Sequence, residues 1–131
     1  MIKKVDHIGI VVRDIEEARR PYEALSLKVT HVKEVEGQRV KVAFLPVGDT
    51  EIELVQPTTT DSGVAGFLEK HGEGIHHLCL EVDDIETTLA DLKAQGMRLI
   101  DQEPRQGAFG RVAFLHPKSV HGVLIELVEK P

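Results

Sequence analysis

The sequence predicts an α+β fold in which two tandem β-α-β-β-β modules form a curved, mixed β-sheet. GQRVKVAFL, starting at Gly37, recurs 70 residues later as GAFGRVAFL, starting at Gly107. DHIGIVVRDIE, starting at Asp6, recurs in the same register as HHLCLEVDDIE, starting at His76. Each copy begins with strand-like alternation and a helix signal, and three further strand-like runs follow. These observations predict a duplicated supersecondary unit.

The two repeats are expected to form one domain. A period this long indicates two copies of one module rather than a solenoid, which needs three or more repeats to bury a continuous core. The chain has 131 residues, a common length for a single domain. We predict one domain over 1–131, with repeats at about 1–57 and 73–131 and a linker that contains a short helix.

In the first repeat, apolar residues alternate from Val5 to Val12, which predicts a strand. Asp14 followed by Glu17 is typical of a capping box and predicts a helix to about Leu25, kinked or shortened by Pro21. Three strands are expected to follow, weakly at 26–35 and then at 40–45 and 51–55. Gly48 and Asp49 predict a hairpin turn between the last two strands.

The linker and the second repeat carry similar signals. Ser62 predicts the N-cap of a short helix within 57–72. Asp84 predicts the N-cap of a helix that presents Ile85, Leu89 and Leu92 on one side, and Gly96 predicts its end. The second repeat should therefore have the same order of elements as the first.

Composition excludes several classes of protein. The chain is 41% hydrophobic and 29% charged, as an ordinary globular protein is. A net charge of -6 argues against a nucleic-acid surface. The single cysteine, Cys79, excludes an intrachain disulfide, and the sequence contains neither an apolar signal core nor a run of 18 apolar residues. We therefore expect a cytoplasmic protein without membrane or nucleic-acid partners.

Alternation within the strands predicts which side chains face away from the helices. If the larger apolar residues pack on the helix, three polar residues of the first repeat should share the opposite face: His7, Lys41 and Glu53. The residues expected to pack on the helix include Ile8, Ile10, Val42, Phe44, Ile52 and Leu54. The second repeat should place His77, Arg111 and Glu126 in the same way.

Two histidines and two glutamates could then form a metal site. His7, Glu53, His77 and Glu126 would offer nitrogen and oxygen ligands suited to Co, Ni, Zn, Mn or Fe ions. A single strand histidine or glutamate is more often a solvated or hydrogen-bonded residue. The recurrence of both residue types at both duplicated places favours ligation. Cys79 is expected to line the wall of this cup, and His76 to pack in the core.

Longer motifs resemble a known family. VDHIGIVV, FLEKHGEGIHHLCLEVDDIE and EPRQGAFGRVAFLHPKSVHGVLIEL resemble the vicinal oxygen chelate superfamily and, within it, the methylmalonyl-CoA epimerases. The resemblance implies that the four residues above bind a divalent metal, most often Co²⁺, with Ni²⁺, Mn²⁺ or Zn²⁺ as alternatives. It also implies a homodimer, a coenzyme A thioester substrate and a role in propionate metabolism.

The activity implied by the resemblance is the interconversion of (2R)- and (2S)-methylmalonyl-CoA by α-proton abstraction, through a metal-chelated enolate. Glu126 and Lys41 are the candidate acid-base groups, and Lys41 stands where some family members have a glutamate base. Lys41 could instead hold the substrate carboxylate. For substrate binding, Lys118 is the first candidate cation and Arg105 and Arg111 follow. The loop that contains Gly107 and Gly110 could close over the substrate.

Two other functions fit the same fold. A glyoxalase I-like lactoylglutathione lyase would use the same ligand types, because a fold does not determine a reaction. A metal-free protein that binds a small hydrophobic molecule in the cup would not need the duplicated histidines and glutamates. Metal analysis separates the second alternative, and assay with methylglyoxal and glutathione separates the first.

Overall fold

The computed structural model describes the whole chain, Met1–Pro131. Two compact units are distinguished by their internal contacts. One contains His7–His76, and the other contains Met1–Asp6 together with His77–Pro131. Each unit holds one copy of the repeated module. The assignment of both repeats to one domain over 1–131 stays a prediction.

The unit that contains His7–His76 has a mixed sheet and two helices. Its strands lie in the order β2-β3-β4-β1, and β1 and β4 are parallel whereas the other neighbours are antiparallel. The elements, in chain order, are β1 (Ile2–Val11, whose first residues belong to the other unit), α1 (Ile15–Ala24), β2 (His31–Val35), β3 (Val40–Val47), β4 (Thr50–Pro57) and α2 (Gly63–His71).

Local sequence accounts for these elements. The carboxylate of Asp14 accepts the N–H of Glu16 and caps α1, which continues past Pro21 to Ala24. Gly48 and Asp49 form the turn between β3 and β4. Ser62 Oγ accepts a hydrogen bond from the backbone N–H three residues later at the start of α2. The predicted helices and hairpin are confirmed.

The second unit repeats the arrangement. Its strands lie in the order β5-β8-β7-β6, again with one parallel pair, β5 and β8. The elements are β5 (Gly74–Val82), α3 (Ile85–Ala94), β6 (Arg105–Gln106), β7 (Arg111–Leu115) and β8 (Ile125–Glu129). Asp84 caps α3, and Gly96 follows it at φ 85°. The predicted α+β class and the order of elements are confirmed.

In each unit an apolar core lies between the sheet and its main helix. We call this side of each sheet the helix face. In the first unit the buried members are Val12, Ile15, Ala43, Leu45 and Leu54. In the second they are Val82, Ile85, Leu89, Ala113, Leu115 and Leu127. None of the three helices is long and apolar enough to cross a membrane.

The last strand of each module also caps the helix of that module. The side-chain oxygen of Gln56 accepts the N–H of Ile15 at 2.9 Å, and Glu129 accepts the N–H of Ile85 at the same distance. Both side chains satisfy a backbone donor at a helix N-terminus that would otherwise lack a partner. The bond to Ile85 and the nearby Arg111 guanidinium hold the pKa of the Glu129 carboxyl below its ordinary value of 4.5.

Substitution of Glu129 tests this cap. Glu129→Gln should keep the hydrogen bond, as Gln56 does, but lose the ion pair, whereas Glu129→Leu should lose both and destabilise the fold more. Because the pKa is lower in the folded protein, the charged form stabilises the fold above pH 4.5, and this contribution is lost as the pH falls through the folded-state pKa. Both variants should therefore lose less stability than the wild type on acidification.

Urea denaturation at a series of pH values measures these differences. Equal stability of the glutamine and leucine variants would contradict the cap. An unchanged pH dependence in both would contradict the charge contribution of Glu129.

Candidate active site

A buried histidine and a buried glutamate are adjacent in the first unit. In the parallel pair of β1 and β4, Gly9 lies opposite Glu53, so His7 is on the same face as Glu53. His7 Nδ1 is 3.0 Å from Glu53 Oε2. The exposed fractions of the two residues are 6% and 8%. This face lies opposite the helix face, where Leu54 packs.

The second unit contains the equivalent pair. Cys79 lies opposite Glu126 in the pair of β5 and β8, so His77 shares the face of Glu126. His77 Nε2 is 3.1 Å from Glu126 Oε1. Both residues are buried, with exposed fractions of 8% and 5%. We call the face that bears Glu53 in one unit, and the face that bears Glu126 in the other, the His–Glu face of that unit.

A phenylalanine lies beside each glutamate. Phe44 is directly opposite Glu53, and Phe114 is directly opposite Glu126. The ring of Phe114 also meets the ring of His77 edge-on, with centroids 6.0 Å apart. These apolar neighbours lower the local polarity around each carboxylate, which strengthens its interaction with a nearby positive charge.

The donor set fits a metal ion. A buried carboxylate is costly unless it is paired or coordinates a metal, and each glutamate here has an imidazole within 3.1 Å. His7, His77 and Glu126 each offer an atom that could hold a metal ion. Imidazole nitrogen and carboxylate oxygen suit divalent first-row metals. The predicted histidines and glutamates are therefore buried and adjacent within each unit.

Comparison with known proteins identifies the family. Residues 6–114 match the model of the glyoxalase/bleomycin resistance protein/dioxygenase superfamily. The ethylmalonyl-CoA/methylmalonyl-CoA epimerase of Cereibacter sphaeroides is 41% identical over 131 residues, covering 97% of this chain and 98% of that protein. The chain belongs to the methylmalonyl-CoA epimerase family of this superfamily.

Solved structures agree with this assignment. A methylmalonyl-CoA epimerase in complex with methylmalonyl-CoA and NH4⁺ is 38% identical, with a TM-score of 0.92 over 99% of this chain and 96% of that chain. The methylmalonyl-CoA epimerase of Mycobacterium tuberculosis is 36% identical, with a TM-score of 0.94 over 99% of this chain and 89% of that chain. The fold implied by the resemblance of the sequence motifs is confirmed.

In this epimerase family member, the predicted assignment of β3 side chains to the two faces of the sheet is wrong. Val42 and Phe44 share the His–Glu face, because Phe44 is opposite Glu53, whereas Lys41 is opposite Gln56 on the helix face. Both faces of the strand are buried, so a nearly continuous apolar run conceals the alternation. Lys41 therefore loses the geometric basis for its predicted role as a base or carboxylate partner.

The predicted face of Arg111 is wrong for the same reason. Arg111 is opposite Glu129 in the pair of β7 and β8 and lies on the helix face. Its guanidinium contacts Glu86 at 2.9 Å and Glu129 at 3.0 Å. These two hydrogen-bonded carboxylates raise the pKa of Arg111. The side chain links α3 to β8, so its geometry supports a structural role rather than the predicted substrate contact.

The glycine loop of the second unit, which the sequence suggests could close over the substrate, is a closely packed turn in this structure. Gly107 and Gly110 are buried, and the N–H of Gly107 donates to the carbonyl of Gly110 at 2.8 Å. A Cβ at Gly110 would meet the carbonyl oxygen of Glu129 at 2.4 Å, and one at Gly107 would meet Val112 Cγ1 at 2.7 Å. Close packing is therefore the structural reason for both glycines.

A pair of glycine substitutions tests this packing. Gly110→Ala should destabilise the fold by about 1–3 kcal/mol, because backbone atoms must move to admit the methyl group. Gly66→Ala in α2 is the control, since no atom lies within 4 Å of its added Cβ and alanine favours a helix by about 1 kcal/mol over glycine. Urea denaturation measures both changes, and equal stability of the two variants would contradict the packing.

Three other residues singled out in the sequence differ in their burial. Cys79 is buried with Val112 and Val128 on the His–Glu face of its unit, as expected for a wall residue. His76 is only partly buried, and its ring contacts Phe67 of α2 edge-on, with centroids 4.9 Å apart. Lys118 is exposed on a short 3-10 helix. Its predicted contact with the substrate stays a prediction.

Sequence reasoning missed the two phenylalanines at the site. The signal was present in the first repeat, because a two-residue turn at Gly48 and Asp49 determines the register of β3 and β4. Counting back from this turn places Phe44 opposite Glu53, as the structure has it. The same reasoning fails in the second repeat, where no two-residue turn joins β7 to β8.

Proposed function

We propose that this protein interconverts (2R)- and (2S)-methylmalonyl-CoA. The proposal is supported above all by a buried histidine beside a buried glutamate in each unit. His7 is 3.0 Å from Glu53, and His77 is 3.1 Å from Glu126. Relatives of similar length over nearly the whole chain are named as epimerases of this substrate. The named relatives favour this reaction over a lactoylglutathione lyase and over a metal-free binding protein.

We infer that His7, Glu53, His77 and Glu126 together hold one divalent ion. The family resemblance implies Co²⁺, with Ni²⁺, Mn²⁺ or Zn²⁺ as alternatives, and imidazole and carboxylate ligands without a thiolate suit all of these ions. When bound, such an ion supplies Lewis acidity that stabilises negative charge developing on the substrate oxygens. Burial of all four side chains supports this assignment, because a desolvated carboxylate needs a cationic partner.

Epimerisation requires two proton transfers at one carbon. The α-carbon of methylmalonyl-CoA lies between a thioester carbonyl and a carboxylate, so loss of its proton leaves the electron pair delocalised as an enolate. We assign the transfer on one side to the Glu126 carboxylate, which accepts the proton as the C–H bond breaks. A second acid then returns a proton to the opposite side of the carbon, which inverts the configuration without net loss of atoms or charge.

The phenylalanines support this chemistry by their position. Phe44 is fully buried opposite Glu53, and Phe114 is opposite Glu126 with its ring edge-on to that of His77. Apolar rings beside a carboxylate exclude water from it. The His77 ring contacts both Phe114 and the Glu126 carboxylate, so it can help to orient that carboxylate.

The remaining assignments rest on the family resemblance. We infer a homodimer that acts in propionate metabolism. Exposed Lys118 is proposed to contact the coenzyme A part of the substrate. The backbone around Gly107 and Gly110 is proposed to line the same part of the substrate.

Proton exchange in D₂O tests the proposed reaction. Metal-loaded protein is incubated with a single epimer of methylmalonyl-CoA, and NMR follows the α-proton while the epimer ratio is measured in parallel. We expect exchange together with formation of the other epimer, and loss of both when the metal is removed with a chelator. The absence of exchange in protein shown to contain metal would contradict the proposal. Turnover of methylglyoxal with glutathione instead would indicate a lyase.

Substitutions at the glutamates separate ligation from proton transfer. Glu53→Ala and Glu126→Ala should lose metal and lower kcat/KM by more than about 100-fold, because loss of an outer-shell partner alone costs about 10–100-fold. Glu126→Gln keeps an oxygen ligand but cannot accept the proton, so it should retain metal and lose exchange. The matched control is Lys41→Gln, which changes the opposite face of the same sheet as Glu53 and should keep exchange.

Metal content and exchange rate are measured on the same samples of each variant. Exchange at the wild-type rate in Glu126→Gln would remove Glu126 as the proton acceptor. Retention of metal and activity in both alanine variants would contradict the assignment of the site.

A further inference from the structure

Three cations of the second unit are candidates for contact with an anionic substrate, and the structure separates them. Arg111 lies on the helix face, in ion pairs with Glu86 and Glu129. Lys118 is exposed on the 3-10 helix after β7. Arg105, in β6, is directly opposite Val112, which packs with Cys79 on the His–Glu face. Only Arg105 of these three is therefore placed on the face of Glu126 by strand register.

Contacts of its side chain support this placement. The guanidinium carbon of Arg105 lies 5.7 Å from the centroid of the Phe114 ring. The Phe114 ring lies 6.0 Å from the ring of His77. The guanidinium is therefore no farther than about 12 Å from the His77 ring, the sum of these two distances. A ligand whose reactive end meets His77 and Glu126 can extend to Arg105.

The side chain of Arg105 is held in position but stays accessible. Its Nε is 3.6 Å from Asp101 Oδ1, and Asp101 Oδ2 accepts the backbone N–H of Phe114 at 2.8 Å. Asp101 thus links the arginine to the strand that carries the aromatic ring. The side chain of Arg105 is 48% exposed, so its remaining donors can reach a ligand. A planar guanidinium binds carboxylate and phosphate groups with two parallel hydrogen bonds.

We propose that Arg105 binds an anionic group of the acyl-CoA substrate at the edge of the His–Glu face that bears Glu126. The proposal rests on the proposed function, because that function supplies a ligand with both a carboxylate and phosphates. Either anion presents the same chemistry to a guanidinium. Phe114 contacts the cation through its ring, and Asp101 pairs with its Nε at 3.6 Å. Arg105 is thus a substrate-binding residue that determines affinity for the charged thioester.

Steady-state kinetics of Arg105→Gln and Arg105→Lys test the proposal. Two substrates are compared, methylmalonyl-CoA and the methylmalonyl thioester of pantetheine, which lacks the phosphates. We expect Arg105→Gln to raise KM for methylmalonyl-CoA by about 10-fold or more, with a smaller change in kcat. Arg105→Lys should recover part of the affinity because it keeps the charge. The control is Arg20→Gln, an exposed arginine of α1, which should leave KM unchanged.

The pantetheine thioester identifies the bound anion. If Arg105 binds a phosphate, the effect of Arg105→Gln on KM should vanish with this substrate. If Arg105 binds the malonyl carboxylate, KM should rise for both substrates. Thermal unfolding and metal content of each variant establish that it is folded and loaded, and Arg105→Lys supplies the test if the glutamine variant does not fold.

Two results would overturn the proposal: a KM within about twofold of the wild-type value for both thioesters, or a fall in kcat alone. The second result would indicate that Arg105 only supports the fold around Phe114. Absence of turnover in the wild-type protein would instead contradict the proposed function. Turnover by the wild type with unchanged KM in the variant would contradict only the role of Arg105.

Discussion

Each unit of the protein buries a carboxylate next to an imidazole, which is an electrostatic constraint on the strands that carry them. Glu53 and Glu126 are 8% and 5% exposed, and each lies within 3.1 Å of a histidine nitrogen. A carboxylate removed from water destabilises a fold unless a partner compensates for the lost hydration. The strands that carry the glutamates must therefore place them accurately, while the opposite face of the same strands supplies the apolar core that stabilises the unit.

The two faces of each sheet carry different polar contacts. On the helix face, Gln56 and Glu129 end their strands by capping α1 and α3. Arg111 then extends the second cap into an ion-pair cluster with Glu86, which the first unit does not repeat at Lys41. On the His–Glu face, a phenylalanine flanks each carboxylate. The two units thus share the helix caps and a phenylalanine opposite each glutamate, and they differ in the ion pairs at the protein surface.

The sequence was most informative where the same polar residue types recur at matching places in the two repeats. His7 and Glu53 could be recognised because His77 and Glu126 recur at the matching places, and the helix caps follow rules of local backbone chemistry. The faces of β3 and β7 could not be assigned from hydrophobicity, because both faces are buried and the apolar run is continuous. The packed turn at Gly110 depends on the carbonyl of Glu129, a contact distant in sequence that no local pattern records.

We propose that the two His–Glu pairs serve a single metal ion. Titration of metal-free protein with Co²⁺, followed by calorimetry and by elemental analysis after gel filtration, measures the stoichiometry directly. Four ligands shared by one ion predict one tightly bound ion per chain. Two equivalent ions per chain would mean that each pair binds a metal of its own, and no tight binding would mean that the pairs are only hydrogen-bonded. Either result would contradict the proposed shared site.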